Sequence, residues 1–296
     1  MKIPLKPLLI TATITFVFTA LGYILFGDSI YLTTVSFFAA SVANATAVGG
    51  GFLFMPLFIY VYNLPALVAL KLSLATQAFG MTSGAIGWGR HYIDTQAFII
   101  GSAASICGVW LASFVWVVSA EQIKLLFALT SLAVFFALIV EVKFVDSGSE
   151  QAANFNLSLS TVFFIAAAFV GGLVTGWTAI GVGEVIALYL LFIYRLKIEV
   201  AIATGVAVLA ASSVAGLVFH SNLGGIPWEL LLFTIPGVLV GGRAGAKIAK
   251  ALESNQEPDA DKQKNTMSPL KRVFAAVILL NCLAIFLSEI VSQGRY

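Results

Sequence analysis

Charge is scarce in this sequence. Lysine, arginine, aspartate and glutamate make up 10% of its 296 residues, against 60% hydrophobic, whereas about a quarter of a soluble domain is charged. That balance excludes an ordinary water-soluble domain and points to an integral membrane protein, with the lipid bilayer as its surroundings. No charged residue occurs from Ser29 to Leu70, and several stretches reach or approach the roughly 20 apolar residues a helix needs to cross the hydrocarbon core. The polar–apolar alternation of a barrel strand is missing, so helices rather than a β-barrel are implied.

Reactive side chains are equally sparse. The two cysteines, Cys107 and Cys282, sit in apolar runs without a CxxC spacing or a histidine partner, and read as packing residues rather than redox or metal ligands. No GxxxxGK[ST] pattern is present to cradle a nucleotide. No nucleophile and base, and no metal cluster, can be assembled. An enzyme is therefore not expected, no cofactor is called for, and a net charge of +2 gives no reason to expect nucleic acid as a partner.

What the chain does have is glycine at two telling places. Ala47 to Pro56 reads AVGGGFLFMP, and Ala179 to Leu188 reads AIGVGEVIAL. Gly49 pairs with Gly181 and Gly51 with Gly183 at one offset (181 − 49 = 132, 183 − 51 = 132). The pairing continues: Asn63 with Arg195, Ala69 with Ala201, Ser73 with Gly205, Gly84 with Gly216 and, after one inserted residue, Gly108 with Gly241. One unit written twice explains these pairs.

Hydrophobic runs give the elements. A first apolar segment, Leu8 to Phe26, follows Lys2 and Lys6; it is longer than a signal-peptide core of about 7 to 15 residues and reads as a retained helix. In the first unit, helices are predicted at about Ile30 to Thr46, Phe52 to Tyr62, Ala66 to Trp88, Thr95 to Val118 and Ile123 to Val140. In the second they are predicted at Leu157 to Trp177, Val185 to Tyr194, Val200 to Phe219, Trp228 to Lys247 and Val273 to Ile290. The fold expected is an all-α polytopic membrane protein with two inverted structural repeats and broken or re-entrant helices at the glycine motifs. Its parts are an N-terminal helix over 1–28, repeat 1 over 29–140, a cytoplasmic linker over 141–156, and repeat 2 over 157–292, with a polar loop at 253–268.

Basic residues fix the orientation. With the amino terminus in the cytoplasm and each broken element entering and leaving on one side, Lys71, Lys124 and Arg295 fall outside. The other thirteen of the 16 lysines and arginines (16 − 3 = 13) fall inside, which satisfies the positive-inside rule. The carboxyl terminus then lies in the periplasm, and the two repeats are upside down relative to each other, as in many secondary transporters.

The glycine motifs also define a candidate site. A helix broken within the membrane strands main-chain N–H and C=O groups, tolerated only where protein or a water-filled cavity supplies partners. Two half-helices starting after Gly51 and Gly183 from opposite sides would aim their positive ends at one central point, an anion site. The residues expected to bind substrate are Asn44, Thr46, Gly49, Gly50, Gly51, Ser73, Gln77, Thr178, Gly181, Gly183 and Thr204, with Thr76, Thr175, Ser212 and Ser213 nearby in sequence. The same hydroxyl and small residues also serve plain helix packing. Glu184 either caps free N–H groups or carries a coupling proton, and its counterpart in the first motif is Phe52. Lys71 reads as a snorkelling residue, and Arg90, His91 and His220 as interfacial anchors.

GGGFLFMPL, GVGEVIAL, HYID after a helix, and GGRAGAKI near the end together resemble the sulfite exporter TauE/SafE family, over roughly Ser36 to Ile290. The resemblance implies efflux of sulfite and organosulfonate-type anions across bacterial inner membranes, and on its motif positions it points to Gly49, Gly50, Gly51, Gly181 and Gly183. A channel-like path is the nearest variant of such a transporter. A non-transporting receptor or assembly protein, whose glycines serve only close packing, is the reading from another class. An oligomeric assembly is compatible with either. A membrane-impermeant label on the carboxyl terminus is expected to react from the periplasmic face, and reaction from the cytoplasmic face alone would overturn this topology.

Overall fold

The structure, a computed structural model, describes residues 31–130, 132 and 159–254. The expected N-terminal helix, the 141–156 linker, the polar loop from 255 onwards and the last helix, Val273 to Ile290, lie outside the described residues. The described elements are helical. They are α1 (Tyr31–Thr46), α2 (Gly51–Pro56, continued by a π-helical turn, Leu57–Val61), α3 (Ala66–Trp88) and α4 (Thr95–Phe114). After these come α5 (helical over 120–130), α6 (Leu159–Thr178), α7 (Val182–Phe192), α8 (Ile198–Asn222) and α9 (Trp228–Ser254).

Local chemistry sets the boundaries. α3 starts after Pro65, whose fixed φ suits a helix entry, and ends at Gly89 with φ +81, a conformation glycine adopts without penalty. α4 is entered at Asp94, whose carboxylate accepts from the Ala97 N–H at 2.9 Å, the ordinary aspartate N-cap. It ends at Phe114 rather than at the expected Val118, because the Val115 and Trp116 N–H groups both fold back onto the Leu111 carbonyl. α7 starts at Val182, three residues before the expected Val185, because Glu184 reaches back to the Gly181 N–H at 3.0 Å.

Among the described residues, four helices, Thr95–Phe114, Leu159–Thr178, Ile198–Asn222 and Trp228–Leu252, are long and apolar enough to cross a membrane. The chain is a membrane protein. Two shorter apolar helices, Gly51–Val61 and Val182–Phe192, follow the two glycine motifs; eleven residues span only about 16 Å. α3 is long enough but less apolar, since it carries Lys71, Ser73, Thr76, Gln77 and Ser83, all buried. It can do so because it lies between α8 and α9, where protein groups rather than lipid meet its polar atoms.

Backbone conformation recurs at the offset seen in the sequence. Ala47 and Ala179 have φ 57 and 59, and Asn63 and Arg195 both have φ 52, each pair 132 apart (179 − 47, 195 − 63). Pro65 and Lys197, which precede α3 and α8, have φ/ψ of −55/142 and −56/143. The turns between close alike: the Leu64 N–H donates to the Phe58 carbonyl and the Leu196 N–H to the Leu190 carbonyl, both at 3.0 Å.

Packing follows the same correspondence. α1 lies along α9 and α6 along α4, α3 packs on α9 and α8 on α4, and α3 and α8 meet in the middle. The α1–α9 and α4–α6 seams are main chain against main chain. A methyl on Gly241 would overlap the Phe37 carbonyl, and one on Gly108 would overlap the Phe169 carbonyl; Phe37 and Phe169 are again 132 apart. Small residues let helix backbones approach where no hydrophobic effect drives them together.

Gly172→Ala, whose methyl would overlap the Ser105 carbonyl, is expected to cost about 1–3 kcal/mol through overpacking. Gly216→Ala would meet Leu74 at an ordinary 3.4 Å and is expected to change stability little. Thermal unfolding midpoints of the two full-length variants in detergent check this; equal midpoints would discount the seam.

Candidate functional site

The chain leaves helix at two crossovers, 47–50 between α1 and α2, and 179–181 between α6 and α7. They cross in contact. The Ala179 carbonyl lies against Gly51, where any Cβ would overlap it, and the Ala47 carbonyl lies 2.8 Å from the point a Cβ on Gly183 would occupy. Glycine is needed at 51 and 183 because each takes the other crossover's main chain at van der Waals distance. Ala47, Ala179, Val48 and Ile180 are buried at the crossing. An alanine in the left-handed region costs about 1–2 kcal/mol, so the surrounding packing holds both bends.

Each freed main-chain N–H at this depth needs an acceptor. Thr46 Oγ1 accepts from the Val48 N–H at 3.4 Å, and Thr178 Oγ1 from the Ile180 N–H at the same distance. Both threonines also donate back into their own helices, to the Val42 and Val174 carbonyls. Thr175 Oγ1 accepts from the Val182 N–H at 3.0 Å. Gln77, from α3, accepts the Gly51 N–H on Oε1 at 2.9 Å and donates through Nε2 to Ser213 Oγ of α8 at 2.7 Å.

Glu184 ties the two crossovers together. Its Oε1 accepts from the Gly49 N–H at 2.6 Å and its Oε2 from the Gly181 N–H at 3.0 Å. The carboxylate is fully buried. Its bond to Gly181 is half of a capping box, the N3 side chain on the N-cap amide, and its bond to Gly49 joins two segments 135 residues apart. Gly50, the N-cap of α2, and Gly49 also stand beside Gln77 Oε1, 3.5 and 3.3 Å from where their Cβ atoms would lie.

Of the residues singled out from the sequence, Thr46, Gly49, Gly50, Gly51, Gln77, Thr178, Gly181, Gly183 and Glu184 meet at the crossing. Ser73 is fully buried, and its hydroxyl has no partner among the described residues; it lies one turn before Gln77 on the same face of α3. Asn44 is set against α3 instead. Its Nδ2 donates to the Ala40 and Gly80 carbonyls at 2.8 and 3.3 Å, its carbonyl accepts from Trp88 Nε1, and its amide fills the space over Gly84. Thr204 accepts from the Asp94 N–H at 2.9 Å, securing the turn before α4.

Three basic side chains elsewhere have structural partners. Lys71 is buried and donates to the Gly224 carbonyl at 2.8 Å, so its ammonium seats on the α8–α9 turn. His220 Nε2 lies 3.4 Å from Ser113 Oγ. Lys250 was not anticipated as more than an inside charge. It donates to the Gly87 and Trp88 carbonyls and sits 4.7 Å from the Tyr92 ring centroid, a cation on the last carbonyls of α3. Ala47 and Ala179, also unanticipated as contacts, stand at the shared 132-residue offset, which is the signal that could have singled them out.

Residues 32–285 match the family model described as sulfite exporter TauE/SafE. Among curated proteins the chain is similar to the "Probable membrane transporter protein YunE" of Bacillus subtilis (strain 168), 23% identical over 251 residues, covering 76% of this chain and 90% of that protein. No solved structure matches the chain. The matched stretch takes in both crossovers and every helix from α2 to α9, and the chain belongs to the sulfite exporter TauE/SafE family.

Proposed function

We infer that the protein is a secondary transporter that exports small anions of the sulfite or organosulfonate type across the bacterial inner membrane, by alternating access at a midplane site between the two crossovers. The observation that carries this reading is that main-chain N–H groups of both crossovers converge on a single anionic group, the Glu184 carboxylate. Donors arranged to hold one buried anion suit another of similar shape. Family membership and the name of the Bacillus relative agree with transport.

The architecture under this reading is a pair of inverted repeats with helices broken at the glycine motifs. Its supports are the 132-residue recurrence of φ values, the matched turns and the matched glycine seams. The two helical runs that follow the crossovers, Gly51–Val61 and Val182–Phe192, are the half-helices, and their first turns face the substrate. Gly49, Gly50, Gly51, Gly181 and Gly183 bring main chain to the anion, with Gln77, Thr46 and Thr178 holding the crossovers in shape and Glu184 coupling protons to transport. The amino terminus lies in the cytoplasm and the carboxyl terminus in the periplasm.

Export needs no nucleotide. Moving one negative charge out of a cell-negative compartment is favoured by about 2.3 kcal/mol per 100 mV. Reconstituted into liposomes, the full-length protein is expected to move radiolabelled sulfite or methanesulfonate. Gly51→Ala, which would push the crossovers apart, is expected to reduce that flux at least about tenfold, since a displacement near 1 Å at a reacting or binding centre costs that and more. Absence of flux over a broad anion panel would sink transport and leave the receptor or assembly reading.

A further inference from the structure

Two symmetry-placed amides share one side chain. Gly49 and Gly181 occupy equivalent positions (181 − 49 = 132), yet both donate to the same carboxylate, one to each oxygen. The residue equivalent to Glu184 in the first motif is Phe52 (184 − 132 = 52), fully buried and packed against the Phe127 ring. The crossing therefore holds one negative group, and that group belongs to the protein. One turn before Gln77 on α3, the Ser73 hydroxyl is fully buried and has no partner among the described residues.

We propose that Glu184 is a tethered competitor of the transported anion: its carboxylate holds the Gly49 and Gly181 amides in the resting state, and an oxyanion takes them once Glu184 has bound a proton and released them. This rests on the transport reading of the same site. The substrate class follows from the stand-in. A carboxylate presents two oxygens about 2 Å apart, each to one amide, so the anion admitted is one that presents two adjacent oxygens, as sulfite, sulfonates and carboxylates do.

The exchange balances. A proton adds to one carboxylate oxygen and forms its O–H bond. No other covalent bond forms or breaks, and one negative charge leaves the amides as another arrives. Protonation loosens the seat because both oxygens face N–H donors, which leaves the new O–H badly placed, and because charge-assisted bonds become ordinary ones, about half as strong. One proton is taken up for each anion bound.

Other titrating groups on the elements around Glu184 are few. α7 packs on α6 and α8. α6 has no titratable side chain, and α8 carries Glu199 in its first turn and His220 in its last, the latter set against Ser113. Tyr189 on α7 itself donates to the Ser160 carbonyl. On α3, the helix that supplies Gln77, Lys71 is bonded to Gly224, and the first crossover, 47–50, has no titratable side chain.

The test is calorimetric titration of the full-length protein in detergent with methanesulfonate, an anion whose own charge is constant over the range scanned. The parent is expected to bind about tenfold more weakly for each unit of rising pH on the alkaline side, and to take up about one proton per anion, read from heats in buffers of different ionisation enthalpy. Glu184→Gln puts an NH2, a donor, where one of the two carboxylate oxygens accepts, so in this geometry it faces one of the amides with another donor and cannot hold both; its affinity is expected to be independent of pH and to match the parent's acid limit. Parent affinity that is flat with pH, binding without proton uptake, or a variant that loses stability without gaining affinity would each overturn the competitor role while leaving anion transport standing. The proton count is made on the parent alone and so holds even if the variant fails to fold. No binding by either protein at any pH, together with no flux, would remove the transport reading and this inference with it.

Discussion

Freed main-chain amides inside a low-dielectric interior are the constraint from which the rest of this structure follows. Two crossovers interrupt the helices, and every interruption exposes N–H groups that lipid cannot satisfy. Thr46, Thr178, Thr175, Gln77 and Glu184 answer them. The long helices place those acceptors: α3 carries Gln77 to the crossing, and α8 holds it there through Ser213. Lys250 fixes the far end of α3, so the helix that brings the amide to the site is secured at its last turn as well.

Bends, turns and glycine contacts recur at the 132-residue offset, but the chemistry does not. Matched bends, turns and seams come in pairs, while the two carboxylate-bonded amides depend on a single glutamate. Gln77 has Leu209 at its equivalent position (209 − 77 = 132), and that leucine packs over Gly183. The Ala66–Trp88 helix thus lends an amide, and the Val182–Phe192 helix an acid. A crossing of two equal halves would hold two equivalent acids; this one holds a single acid bonded to one amide of each crossover.

Much of this was legible from residues alone. The limits of α3 follow from Pro65 and Gly89, and the 132-residue offset was visible in the glycines before any bend angle. The contact between crossovers was not, because a sequence shows that Gly51 and Gly183 lack side chains but not which carbonyl fills the space. Asn44 and Thr204 show the same limit. Both have the residue type and position of a ligand, and in the fold Asn44 Nδ2 meets the Gly80 carbonyl and Thr204 Oγ1 the Asp94 N–H. Helical periodicity assigns a face; the partner on that face depends on neighbours more than a hundred residues away. Glu184 stands out in the sequence as a carboxylate beside a glycine motif, but its second bond, to Gly49, required the chain to be folded.

The glycine seams have a consequence for how these helices associate at all. A side chain that packs into an interface gives up rotamers, at up to about 2 kcal/mol for the longest ones, whereas glycine has none to give. Gly108 against Phe169 and Gly241 against Phe37 therefore close without side-chain entropy loss at the glycine. Lipid offers helices little net gain for hiding apolar surface, so an interface that forgoes this loss can be held by close van der Waals contact alone. Its weakness is the same fact seen from the other side: with no rotamer to rearrange, a single added methyl has nowhere to go.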